Sequence, residues 1–125
     1  MPSLTLKGNN IGTLGNSASL TIAQVNTILA TKTVNAQTGT TYPVVATDAG
    51  GVVTLNNASA ITVTLSNVAT SQEVEFIQLG AGQVTFVSGT LTLRQVSGLT
   101  KTAGQYARVS MRVIGTDAIL CGDMA

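Results

Sequence analysis

Glu73 and Glu75 are the residues of this chain whose type and spacing come nearest to catalysis. Two positions apart on an extended strand, their carboxylates project from one face at a separation of roughly 7 Å, which is the raw material of a carboxylate-pair glycosidase. The same placement suits solvated charges on a strand face. Arg108 and Arg112 alternate along another segment and can pair with them, within one subunit or across an interface. Pairing is the better reading, because nothing else in the chain supports hydrolysis. The sequence contains no His, so it lacks the commonest general base at neutral pH, any Ser–His or Cys–His couple and any imidazole metal site. Asp48-Ala-Gly-Gly51 offers a single carboxylate beside glycines, far short of the oxygen set that calcium takes, and reads as a turn entering a strand. Gly80-Ala-Gly82 lacks the following helix and Lys of a phosphate loop and reads as a hairpin turn. Cys121 follows Leu120 and reads as a small buried hydrophobe of low reactivity. Thr62/Thr64 and Thr90/Thr92 form Thr-x-Thr pairs without the fixed repeat of an ice-binding array, and read as solvent-facing β-branched positions. The expectation is a protein that is not an enzyme and that holds neither cofactor nor metal.

Composition narrows the partners. The chain has 125 residues, 44% of them hydrophobic, enough for one domain with one core. Charged residues make up only 9%, against about 25% in an average globular protein, so Thr, Ser, Asn and Gln must keep the surface wet. A net charge of +1 provides no basic patch able to neutralise several phosphates, which argues against nucleic acid. Trp is absent, and Tyr42, Tyr106, Phe76 and Phe86 leave few stacking platforms for bases or sugars, so glycan recognition has little support, with Tyr42 or Tyr106 as its candidate contacts. One cysteine forms no intramolecular disulfide. The opening residues lack the pattern of a signal peptide, and no apolar run approaches the roughly 20 residues of a membrane span. The expectation is an intracellular site of synthesis with no membrane contact.

Three segments would position these residues. Residues 1–18 place Leu4 and Leu6 ahead of a Gly- and Asn-rich stretch that favours turns, and read as an extended arm. Residues 19–31 carry the one helix signal. Thr21 can cap it, Gln24 completes a capping box, and Ile22, Val25, Ile28 and Leu29 form its apolar face. So short a helix is marginal alone, which makes it a docking or oligomerisation element. Residues 32–125 change to a period of two, punctuated by Gly, Asn and Ser at the spacing of an antiparallel β-sandwich or jelly-roll-like barrel. Strands are predicted over 43–46, 52–56, 60–65, 73–79, 83–87, 90–94, 106–113 and 118–121, with 73–79 and 83–87 paired as a hairpin. Ile61, Val63 and Leu65, and Ala107, Val109, Met111 and Val113, should face the core.

Several of these stretches carry a resemblance. Ala58-Ser-Ala-Ile-Thr-Val-Thr-Leu65, Gln78-Leu-Gly-Ala-Gly-Gln-Val-Thr85, Lys101-Thr-Ala-Gly-Gln-Tyr-Ala107 and Ile119-Leu-Cys-Gly-Asp123 occur in that order. Together they resemble the C-terminal module of bacteriophage tail-fibre, head-fibre and capsid-decoration proteins. Leu4-Thr-Leu-Lys-Gly-Asn-Asn10 and Leu20-Thr-Ile-Ala-Gln-Val-Asn26 are similar to the segment that precedes such modules. The resemblance implies a virion structural protein, a homotrimer at the particle surface. The chain lacks a long shaft, which favours capsid decoration or a head fibre over a complete tail fibre. Its partner would be the major capsid protein or a fibre base, with Leu4, Leu6, Ile22, Val25, Ile28 and Leu29 as docking or oligomerisation residues. The alternative is a tail-fibre tip, a receptor-binding adhesin for a host surface glycan.

Overall fold

The computed structural model describes residues 21–23 and 32–125. The chain divides into two compact units, Met1–Thr31 and Lys32–Ala125. In the first, Ile22 and Ala23 have helical backbone and the Ile22 side chain is exposed. The arm, and with it Leu4, Leu6, Val25, Ile28 and Leu29, lies outside the described residues.

The second unit is mainly β. Its strands are β1 (Val34–Gln37), β2 (Thr41–Pro43), β3 (Val52–Leu55), β4 (Ile61–Leu65), β5 (Glu73–Gln78), β6 (Val84–Ser88), β7 (Thr92–Gln95), β8 (Arg108–Ile114) and β9 (Asp117–Gly122), with a short 3-10 turn at Ala46–Asp48. Odd and even strands alternate between two sheets up to β6. One sheet has the order β1-β3-β5-β8-β9-β7 and the other β2-β4-β6. Rungs such as Val34–Val52–Glu75 and Thr41–Thr62–Thr85 stack in parallel register, so the backbone winds as a short β-solenoid with roughly 20 residues per coil. The hairpin β8–β9 then runs antiparallel to β5, and β7 pairs in parallel with the far edge of β9. The hairpin thus stands between the third coil and the strand that follows it.

Period-two alternation puts one face of each strand inside. Val53, Leu55, Ile61, Val63, Leu65, Val74, Phe76, Val84, Phe86, Val109, Met111, Val113, Ala118 and Leu120 are all buried in one core. Burying each Val, Leu, Ile, Phe or Met side chain contributes roughly 1.5–3 kcal/mol. Phe76 and Phe86, from opposite sheets, meet edge to face with centroids 5.2 Å apart, the geometry that aromatic quadrupoles prefer.

The antiparallel sandwich or barrel is corrected by this topology, and so is the hairpin of 73–79 with 83–87. β5 pairs with β3 and β8, while β6 pairs with β4. Alternation reports which face of a strand is buried and is silent about which strand lies beside it. The glycines between β5 and β6 have a different purpose from the one expected. Neither has positive φ; each instead passes against the corner of the preceding coil. A Cβ on Gly80 would stand 2.5 Å from the Asn57 amide nitrogen, and one on Gly82 would overlap the Ser59 carbonyl. The bare backbone lets Gly82 donate its N–H to the Asn57 carbonyl at 2.8 Å. β1, with the sequence Val-Asn-Ala-Gln, has weak strand propensity and is added by the structure.

The two ends of the stack are finished differently. At the C-terminal end, Thr100–Thr102 lies antiparallel along β6, with Phe86 N–H donating to Thr100 O at 2.8 Å and Thr102 N–H to Val84 O at 2.9 Å. Ala125 N–H in turn donates to Lys101 O at 2.8 Å. A buried polar cluster locks this cover in place: the Thr102 hydroxyl donates to Gln78 Oε1, Val84 N–H donates to Thr102 Oγ1 at 3.0 Å, and Gln78 Nε2 donates to Gly80 O at 2.9 Å.

Candidate functional site

At the other end, the first coil replaces apolar inward residues with polar ones. Asn35 and Gln37 occupy the rungs that continue as Val53 and Leu55, and Tyr42 continues as Val63 and Phe86. Their side chains are joined. The Tyr42 hydroxyl donates to Asp48 Oδ2 at 2.5 Å, Asn35 Nδ2 donates to the Tyr42 oxygen at 2.7 Å and to Asp48 Oδ1 at 2.9 Å, and Gln37 Nε2 donates to Asn35 Oδ1 at 2.8 Å. Val45 N–H donates to Asp48 Oδ2 at 3.1 Å. Asp48 and Tyr42 are buried. Burial raises the Tyr42 phenol well above its ordinary range; its donation to Asp48 and that residue's charge push the same way, against a smaller opposite effect from Asn35. The phenol is therefore a fixed donor, and Tyr42 is withdrawn as a glycan platform. Asp48-Ala-Gly-Gly51, read above as a plain turn, supplies the acceptor at the centre of this network. The spacing of Tyr42 and Asp48 gives no periodic signal that would have revealed it.

Glu73, Glu75, Arg108 and Arg112 come together on the outer face of the larger sheet. Glu73 lies directly opposite Arg112, and Glu75 is diagonal to Arg108. Arg112 Nη2 is 3.5 Å from Glu73 Oε2 and Arg108 Nη2 is 2.5 Å from Glu75 Oε2, with Lys32 Nζ 4.0 Å from the other Glu75 oxygen. These are cross-strand pairs within one chain, worth about 0.2–1 kcal/mol each where exposed. Each carboxylate is occupied by a guanidinium. Cys121 is corrected from buried to exposed. Ala118 and Leu120 take the inward positions of β9 and alternation turns Cys121 outward. Thr41, Thr62 and Thr85 form a ladder on the outer face of the smaller sheet, an alignment hidden by unequal spacing in the chain.

Tyr106 is the exposed aromatic residue of the body. Residues Gly104–Ala107 form a turn closed by Ala107 N–H donating to Gly104 O at 3.1 Å. Tyr106, third in the turn, has φ +70°, the value a type II turn demands and that Gly or Asn normally supplies. Tyr106 N–H donates to Gln78 O at 2.6 Å and Gln105 Nε2 to Leu79 O at 2.9 Å, which ties the turn to the end of β5. A shallow cleft of about 370 Å³ lies beside it, walled by Ala103, Gly104, Gln105, Tyr106, Ala107 and Asp123. A larger cleft of about 550 Å³ opens between β6 and β7, and its charged wall, Arg94, is held by Asp117 at 3.1 Å.

Among the described residues, no cluster of three or more His, Cys, Asp or Glu is placed to hold a metal ion, and no helix is long and apolar enough to cross a membrane. Comparison with known protein families, with curated proteins and with solved structures finds no match.

Proposed function

We propose that this chain is a non-enzymatic structural protein of a bacteriophage particle, a capsid-decoration or head-fibre protein mounted through residues 1–31 with the β-body outward. The observation that carries the reading is where the resembling stretches fall in the body. Ala58–Leu65 forms a corner and β4, Gln78–Thr85 forms the corner stacked above it, Lys101–Ala107 forms part of the C-terminal cover and the turn after it, and Ile119–Asp123 forms the end of β9. The similarity thus lies in the parts that stack and seal the solenoid. A coiled body sealed at its C-terminal end and continued in sequence from its N-terminal end suits a rigid projection. Low charge and a Thr-lined outer face suit a surface that stays wet without attracting counter-ions.

A homotrimer on the major capsid protein or fibre base is part of the proposal and rests on the resemblance. Deleting residues 1–18 tests the mounting. The truncated chain should keep the unfolding transition of the body and no longer sediment with particles, and retained particle binding would sink the arrangement. A solution mass of three chains, independent of concentration by light scattering, is the expected oligomer result. The second reading, a tail-fibre tip that binds a host glycan, is favoured by the exposed ring of Tyr106.

A further inference from the structure

Of the four aromatic residues, Tyr42, Phe76 and Phe86 are buried and Tyr106 is 68% exposed. Folding does not account for this ring. It buries little surface, and it occupies a left-handed backbone position that disfavours any bulky side chain. Strain of this kind persists where the surrounding structure enforces it, and it gathers at sites of function. Here the enforcement is visible, because backbone hydrogen bonds before and after Tyr106 fix the turn.

We infer that the cleft beside Tyr106 is a saccharide site, taking a neutral pyranose with its C–H face against the phenol ring, an inference that rests on the glycan-binding reading above and gives it a ligand class. A sugar ring is apolar on its faces and carries hydroxyls around its rim, and the cleft is built in the same way. Tyr106 supplies the aromatic face. Around it stand acceptors for hydroxyl donors: the Asp123 carboxylate, of which Oδ2 already accepts Arg108 N–H at 3.1 Å, and the Gln105 amide oxygen, whose nitrogen is taken by Leu79 O. Among the described residues Asp123 forms no ion pair, so its charge is available and disfavours acidic sugars. Apart from Tyr106 the wall is made of small or polar residues, Ala103, Gly104, Gln105, Ala107 and Asp123, so it lacks the bulky apolar ring that keeps water from a protein hot spot. The cleft is shallow and open, so it offers one face of contact to a single sugar ring.

The test is saturation-transfer NMR of the full chain with neutral hexoses, N-acetylhexosamines and their oligomers, with sialic acid as the acidic arm. At least one neutral sugar should bind and sialic acid should not. Tyr106→Phe should retain binding, Asp123→Asn should weaken it, and Tyr106→Gly should weaken it by about tenfold or more. Tyr106→Gly should at the same time raise the melting temperature, because glycine relieves the left-handed strain. This couples loss of binding to gain of stability, so misfolding cannot mimic the result. The proposal is overturned if no neutral sugar binds, if Tyr106→Gly binds as well as the parent, or if its melting temperature does not rise. A change of solution mass in Tyr106→Gly would also overturn it, by making the ring a subunit contact. The site lies wholly in the body, so its failure leaves the mounting proposal standing, and the reverse holds too.

Discussion

Replacing Asp48 by Ala should be among the most damaging single changes available outside the apolar core. The carboxylate accepts from the Tyr42 hydroxyl, the Asn35 amide and Val45 N–H. These donors do not lose equally. Val45 is exposed, so water can replace the missing acceptor at its N–H, and Asn35 keeps the Tyr42 oxygen as a second partner at 2.7 Å. Tyr42 is only 8% exposed, and its hydroxyl is left without an acceptor at a cost of about 1–3 kcal/mol. Adding the charge-assisted bond that is lost, at about 1.5–3 kcal/mol, gives a destabilisation of about 2.5–6 kcal/mol. For a body of this size each kcal/mol moves the melting temperature by about 4–8 °C, so the midpoint should fall by about 10 °C or more. Urea unfolding followed by circular dichroism would supply the free energies. A double-mutant cycle with Tyr42→Phe isolates the pair, and the double variant should be less damaged than the sum of the single variants by about 1.5–3 kcal/mol. A loss under about 1 kcal/mol for Asp48→Ala, or strict additivity in the cycle, would refute the view that this network holds the first coil.

Two further results are expected. Gly82→Ala should destabilise the body by about 2–4 kcal/mol, since the added methyl meets the Ser59 and Asn57 backbone, whereas Gly104→Ala, with nothing within 4 Å of its Cβ, should stay within about 0.5 kcal/mol of the parent by the same denaturant assay. Stability should also fall at alkaline pH: the unfolded Tyr42 phenol ionises from about pH 10 while the folded one, with its raised pKa, does not. The benefit is complete below pH 10 and declines above it by about 1.4 kcal/mol per pH unit until the folded phenol titrates, and chemical denaturation across that range should show the extra slope vanish in Tyr42→Phe.

Local strand positions were legible in the sequence because alternation is a local property. Ile61, Val63 and Leu65 announce an inward face wherever β4 is placed, and they are buried. Neighbours were not legible. A Gly-Ala-Gly between two alternating runs fits a hairpin as well as it fits a coil corner, and the difference lies in contacts with Asn57 and Ser59, more than twenty positions earlier. β1 was missed because its inward residues, Asn35 and Gln37, are polar and break the apolar alternation that marks the other strands. Asp48 was invisible for a related reason: its partners Tyr42 and Asn35 are brought to it by winding and by no repeat in the chain. The Tyr106 turn was recognisable from Ala-Gly-Gln-Tyr-Ala, but the left-handed backbone at a tyrosine was not, since turn chemistry assigns that position to Gly or Asn.

The parallel register has a consequence for how such a body changes in size. Each coil meets its neighbours through the same kind of rung, while the polar first coil and the antiparallel cover are specialised ends. Duplicating the segment from β3 through the turn before β5 would add one layer of about 4.8 Å and leave both ends as they are. The body is in this sense a ruler with removable divisions, in which length can vary by whole steps while the first coil and the C-terminal cover keep their chemistry.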